Sequence, residues 1–168
     1  MEDIKDSMED QTPVNEICPV CGGSGWAPAE DAGTVRRCDC WKSRRLVRLL
    51  AASNIPKRYG ECSFEAYLPG NTSQRKAKIL VEGFLRDYPL LADDNPQKSV
   101  GLLFLGRCGV GKTHLAVALL RQLISTTGET GLFCNFSDLL REIQGSWNPV
   151  SQTSELDVLR PVMDAKVL

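Results

Sequence analysis

A chain of 168 residues with 42% hydrophobic and 24% charged residues has the composition of a folded globular protein, with room for one ordinary domain or for a small module joined to part of a larger one. No apolar run reaches the roughly 18 residues that a bilayer-spanning helix needs, and the opening MEDIKDSMED is acidic where a secretion signal would be basic and then apolar. The composition therefore excludes a spanning helix and leads us to expect a soluble, cytoplasmic protein.

The net charge of -1 conceals two opposed blocks. Residues 1–31 hold eight acidic side chains against Lys5, and residues 36–58 hold eight basic ones against Asp39. The first, polar and with little to bury, reads as a mobile acidic arm over 1–15. The second suits nucleic acid or an acidic partner surface, or simply a solvated face balancing the arm.

Four of the seven cysteines are grouped, Cys18 and Cys21 as CPVC followed by the turn-prone GGSG, then Cys38 and Cys40 as CDC. A cytosolic chain keeps its thiols reduced, so a disulfide framework is not expected. Two close pairs instead supply the two halves of a tetrahedron around a divalent ion, and zinc suits four sulfur donors. Such an ion would hold together a segment too small to fold on its own core, and a closed four-sulfur set makes it structural. Reduced free thiols or an iron and sulfur cluster are the alternatives, because a CxC pair is less usual in zinc knuckles than a second CxxC. CPVCGGSG is also similar to one repeat of the DnaJ-type zinc region, a family that strings several such repeats together. Cys62, Cys108 and Cys134 are dispersed and read as small apolar residues.

WKSRRLVRLLAA, residues 41–52, spaces Leu46, Leu49 and Leu50 against Arg44, Arg45 and Arg48 and predicts a short amphipathic helix with a cationic face, ended by Asn54-Ile55-Pro56. A second helix is expected after PGNTS, capped by Asn71, Thr72 or Ser73, with Ala77, Leu80, Val81 and Phe84 on its apolar face and Pro89 with ADDNPQ closing it.

GRCGVGKT, residues 106–113, follows an apolar run, VGLLFL from Val100 to Leu105, that predicts a parallel strand buried on both faces. A helix is expected from Lys112, with Leu115, Ala116, Leu119, Leu120 and Leu123 on one face. Strand, glycine loop and helix in this order turn a motif match into a physical site. Gly106, Gly109 and Gly111 let successive N–H groups turn toward phosphate oxygens at the positive end of the helix dipole. Lys112 would reach the β and γ phosphates of ATP and the Thr113 hydroxyl would ligate magnesium. Arg107, Cys108, Val110 and His114 complete the candidate nucleotide-binding stretch. His114, the sole histidine, is expected to pack or orient rather than to act as a general base. Beyond the helix, GLFCNF predicts a second strand, SDLLREI a helix capped by Ser137 or Asp138, and LDVLRPVMD a short helix ahead of the final AKVL.

GRCGVGKTHLA with its following strand and DLL helix is similar to the DnaC/IstB-like helicase loaders, a branch of the AAA+ ATPases, and CPVCGGSGW, RRCDCWKSRR and NIPKRYGECSFEAYLPGN resemble the zinc-bearing front of such loaders. The resemblance implies an α/β fold: an incomplete P-loop NTPase, a three-layer αβα sheet preceded by a small zinc-binding module and a helical linker. It divides the chain into the arm at 1–15, a zinc module with its basic helix at 16–53, a lead-in element and linker helix at 54–97, and the first part of an ATPase domain at 98–168. It implies ATP, Mg2+ and Zn2+ as cofactors and a replicative helicase as partner, with single-stranded DNA and like subunits as further candidates and no membrane. It also brings Phe64 to Leu68 near the adenine base. The resemblance also makes AKVL the start of a further strand, which in the family runs on into two acidic residues that hold magnesium and polarise the attacking water. Those Walker B acids, the sensor residue and the arginine finger are not in this sequence, so it carries no candidate catalytic residue. The expectation is a fragment that binds ATP without hydrolysing it efficiently, and whether it acts as an enzyme stays open at this point. An IstB-like transposition helper and a non-catalytic zinc adaptor are the alternative functions.

Overall fold

The computed structural model describes residues 17–29, 33–93, 100–148 and 152–168, so the acidic arm and most of the ADDNPQ run lie outside the described residues. Contacts divide the chain into two compact units, with the division between Val47 and Arg48.

In the first unit a two-stranded antiparallel hairpin, β1 (Trp26–Pro28) and β2 (Val35–Arg37), pairs Trp26 with Arg37, Ala27 with Arg36 and Pro28 with Val35. The Cys38 N–H donates to the Gly25 carbonyl at 2.9 Å and prolongs the pairing by one step. Helix α1 (Cys40–Ala52) starts directly behind the hairpin. Between residues 17 and 47 only Ala27 and Cys38 are buried among the described residues, which is no hydrophobic core at all. A segment of this size needs another source of stability.

α1 ends in the second unit, where Asn54 adopts the left-handed region at φ 55° ahead of Ile55-Pro56. A one-turn 3-10 helix (Lys57–Tyr59) and a loop lead to α2 (Thr72–Asp93), followed by α3 (Lys112–Thr127), α4 (Phe136–Ser146) and α5 (Glu155–Asp164). The core lies between α2 and α3, where Val81 packs with Leu115, Ala118, Leu119 and Leu123, and the loop residues Phe64 and Tyr67 seal it. Asn71 caps α2 by accepting from the Gln74 N–H at 2.9 Å.

Several expectations need correcting. α2 runs on through Pro89 but does end within the ADDNPQ run, at Asp93; the single bond lost at the Pro89 nitrogen lies near the helix's C-terminal end and is tolerated there. Leu80 is 68% exposed, and the inward face is carried by Ala77, Val81, Phe84, Leu85 and Tyr88. α3 is buried on more than one face, adding Val117, Ala118 and Ile124 to the expected stripe. The cap of α4 is Asn135, whose side chain accepts from the Ser137 N–H at 3.0 Å, ahead of the expected Ser137 or Asp138.

The three strands expected of the ATPase half are the largest difference. GLFCNF and AKVL meet only at a parallel bridge between Gly131 and Val167, with Leu132 N–H donating to the Val167 carbonyl at 2.8 Å. Val100 to Leu105 is extended but has no ladder partner among the described residues. A strand exists through its neighbour's hydrogen bonds, so an apolar run without one remains a single extended chain. A cavity of about 300 Å³ lined by Leu102, Phe104, Leu119, Phe133 and Val167 separates this segment from the bridged pair.

Candidate nucleotide loop and metal centre

The glycine loop leaves the extended segment at Gly106 and delivers the chain into α3. Gly106, Gly109 and Gly111 have φ of 151°, 80° and 89°, conformations that residues with a Cβ rarely adopt. Gly111 is constrained twice, since a Cβ there would stand 2.6 Å from the Tyr67 ring. The first intrahelical bond runs from the Leu115 N–H to the Gly111 carbonyl at 3.1 Å. The N–H groups of residues 112–114 therefore face out of the helix end, the arrangement that favours an anion.

Lys112 lies in this bend, its Nζ donating to the carbonyls of Gly106 at 3.0 Å and Arg107 at 2.8 Å. The ammonium is thus held at the mouth of the loop, where a phosphate could replace the carbonyls as its acceptor. Thr113 is exposed in the first turn of α3, within the same region. Arg107, Cys108 and Gly109 are exposed on the crest, and Val110 is half-buried. Cys108 is thus a solvent-facing thiol and not the small apolar residue expected, because the crest has nothing to pack against; Cys62 is buried and Cys134 half-buried. His114 Nε2 donates to the Ser63 carbonyl at 2.8 Å, and its ring lies 5.3 Å from that of Tyr67. It ties the loop-to-helix junction to the segment before α2.

The resemblance brought Phe64 to Leu68 near the nucleotide, but sequence reasoning did not find how Tyr67 and Gln74 hold the other side of the loop. Tyr67 Oη donates to the Val110 carbonyl at 3.4 Å and Gln74 Nε2 donates to the same oxygen at 3.2 Å. Together with Asn71, Ser73 and Lys112 they line a cleft of about 290 Å³ beside Gly106. Phe64 and Tyr67 are occupied in packing, while Leu68 is 86% exposed. A contact across 36 or 43 residues leaves no periodic mark in a sequence, and only the aromatic and polar character of YLPGNTSQ hinted at it.

The four grouped cysteines converge, with all four Sγ atoms within 4.8 Å of one another. Cys18 Sγ is 3.7 Å from Cys38 Sγ, and Cys21 Sγ is 3.5 Å from Cys40 Sγ. A zinc ion bonded to sulfur at about 2.3 Å sets tetrahedral sulfurs about 3.8 Å apart, so these thiols fit the ion closely. Local backbone geometry prepares them. The Gly22 N–H donates to the Cys18 carbonyl at 2.8 Å, turning the knuckle back on itself. The Gly25 backbone hydrogen bond holds the Cys21 thiol down to about 6. The hydrogen bond to Cys21 pushes Cys40 up to about 12. Backbone hydrogen bonds from Cys21 and Val20 hold Cys18 below the ordinary thiol range.

A glycine-bent loop, a lysine in its mouth and the open N-terminal end of a buried helix make a candidate anion site in a mixed helix and strand fold. No family model matches the chain. The replicative helicase loader DnaC of Buchnera aphidicola subsp. Schizaphis graminum is 29% identical over 127 residues, 76% of this chain and 48% of the loader. The uncharacterised protein YqaM of Bacillus subtilis is 22% identical over 163 residues, 95% of this chain and 49% of that protein. A solved crystal structure of the DnaC helicase loader matches with a TM-score of 0.53 and 31% sequence identity, over 66% of this chain and 57% of that one. By sequence and by fold, then, the chain is similar to the DnaC helicase loaders. It spans about half the length of the curated relatives it matches. No helix among the described residues is long and apolar enough to cross a membrane.

Proposed function

We propose that this chain supplies the ATP-binding front of a replicative-helicase-loader-type AAA+ protein acting in the initiation of DNA replication in the cytoplasm, with a structural zinc module before it. One observation supports this reading most: Lys112 sits in a loop bent at three glycines of positive φ, at the start of a buried helix. Lys112 would bind the β and γ phosphates, Gly106 to Thr113 would wrap them with backbone N–H groups, and the Thr113 hydroxyl would ligate magnesium. Magnesium would screen charge on the phosphates. Cys18, Cys21, Cys38 and Cys40 would hold zinc, and the module they shape would dock on the helicase. Residues 1–168 bind nucleotide in this reading and turn it over far more slowly than the median of about 10 per second for enzymes, since the acids that polarise water are not among them.

Titration with ADP in the presence of magnesium tests the nucleotide reading. The native sequence is expected to bind and Lys112→Ala to lose most of that affinity; binding unaffected by the substitution would overturn it. For the partner, co-purification with a hexameric replicative helicase is expected and should be lost in Cys38→Ser. Retention of the helicase by the zinc-free variant would remove the docking role from the module.

A further inference from the structure

The phosphate loop is gripped from outside by residues far away in sequence. Val110 is the residue between the second and third loop glycines, and its carbonyl oxygen accepts from two side chains, Gln74 Nε2 at 3.2 Å and Tyr67 Oη at 3.4 Å. The orientation of Gln74 is not free. Its Oε1 accepts from the Gly70 N–H at 2.7 Å, and a reversed amide would set donor against donor at Gly70 and acceptor against acceptor at Val110. The backbone N–H of Gln74 in turn donates to the Asn71 side chain, so the residue is fixed at the first turn of α2 by its own cap. Tyr67 is fixed as firmly: it is buried at 6% exposure, its ring fills the space where a Gly111 Cβ would be, and Lys78 Nζ ties down the carbonyls of Phe64 and Tyr67 at 2.6 and 3.5 Å.

The consequence follows from peptide geometry. The C=O and N–H of one trans peptide point in opposite directions. Holding the Val110 oxygen against residues 67 and 74 therefore turns the Gly111 N–H to the opposite side, away from the segment that grips it. Gly111 is also the residue most able to swing, being a glycine at φ 89° with a glycine two positions before it. Without the two donors, the 110–111 peptide could rotate and exchange its N–H for a carbonyl at the point where an anion would sit. We propose that Tyr67 and Gln74 are positioning residues for phosphate binding, holding the Val110–Gly111 peptide in the orientation that presents N–H groups and not carbonyls to the ligand. This rests on the nucleotide reading above and extends it to two residues outside the loop, which couple the segment before α2 to the state of the loop.

The test uses the full chain with magnesium and ADP as the probe. Tyr67→Phe keeps the ring against Gly111 and removes its donor; Gln74→Met keeps the side chain's length and removes its amide. Each alone is expected to weaken ADP binding a few-fold and the pair about tenfold, as a bound conformation that must first be selected lowers apparent affinity by its population. The melting temperature without nucleotide should move little in the single variants, while the rise in melting temperature on adding ADP should shrink. A role in packing alone would do the reverse, lowering the nucleotide-free melting temperature and leaving affinity unchanged, and that result would overturn the inference. So would ADP affinities equal in the native and doubly substituted chains. Absence of ADP binding by the native chain would overturn the nucleotide reading and this inference with it.

Discussion

At the scale of single residues the molecule spends most of its unusual chemistry at two points, the loop and the cysteine cluster. Both were legible in the sequence because both are local: GRCGVGKT and CPVC carry their meaning in spacings of a few residues. What spacing could not show is how protons are distributed among the thiols. Cys21, at about 6, is already a thiolate at neutral pH, whereas Cys40, at about 12, still holds its proton. A metal ion accepts only thiolates, so binding must expel that proton. Zinc binding at pH 7 is therefore expected to release at least one proton per ion, measurable with an indicator dye in weak buffer. Affinity should rise with pH above neutral as Cys40 is easier to ionise. It should fall as pH drops through about 6, where Cys21 begins to hold its own proton. An affinity flat across that range would show that these four sulfurs are not the ligands.

The helices were the elements most readily read, because apolar spacing and capping residues are short-range signals. α1, α3 and α5 fall close to where the pattern puts them. α4 starts earlier because Asn135, read as strand, has a side-chain oxygen able to accept from Ser137, and a cap with a real acceptor outweighs the weak strand preference of CNF. α2 continues past Pro89 for the opposite reason, a local breaker overridden by burial of Phe84, Leu85 and Tyr88 against the core. α5 has the clearest local specification, a reciprocal capping box in which Ser154 accepts from the Asp157 N–H at 3.2 Å and Asp157 accepts from the Ser154 N–H at 3.1 Å. Ser154→Ala is expected to destabilise α5 by about 1 kcal/mol, seen as reduced amide protection across Glu155–Asp164 with the rest unchanged. The Ser154 side chain holds the Asp157 carboxyl below its usual value. That contribution is present above the ordinary carboxylate range and disappears as pH falls through the lowered one. The same helix should therefore fray on acidification, and Ser154→Ala should weaken that pH dependence while the Ser154 N–H keeps part of it.

At the scale of the whole molecule, the sheet is where sequence and structure part, and the reason lies in the two faces of one segment. VGLLFL is apolar throughout, the mark of a strand covered on both sides. The structure covers one side: Phe104 turns toward the α2 and α3 core, while Leu103 and Leu105 are 83% and 82% exposed. The alternation is that of a strand, yet it has no partner on either edge among the described residues. Periodicity reports which faces a residue could cover and is silent on whether the covering chain is near, so the strand was legible and its isolation was not. An extended apolar segment with open backbone N–H and C=O groups is a template for another chain. We therefore expect these 168 residues to self-associate as concentration rises. Leu103→Lys with Leu105→Lys should suppress that association, because charge on an open edge opposes pairing. Since both side chains already face solvent, the melting temperature of the dilute protein should change by no more than a few degrees. Sedimentation across a concentration series separates the cases: if the double variant associates as strongly as the native chain, the contact lies elsewhere. If instead it fails to fold while dilute, Leu103 and Leu105 are already covered within the single chain.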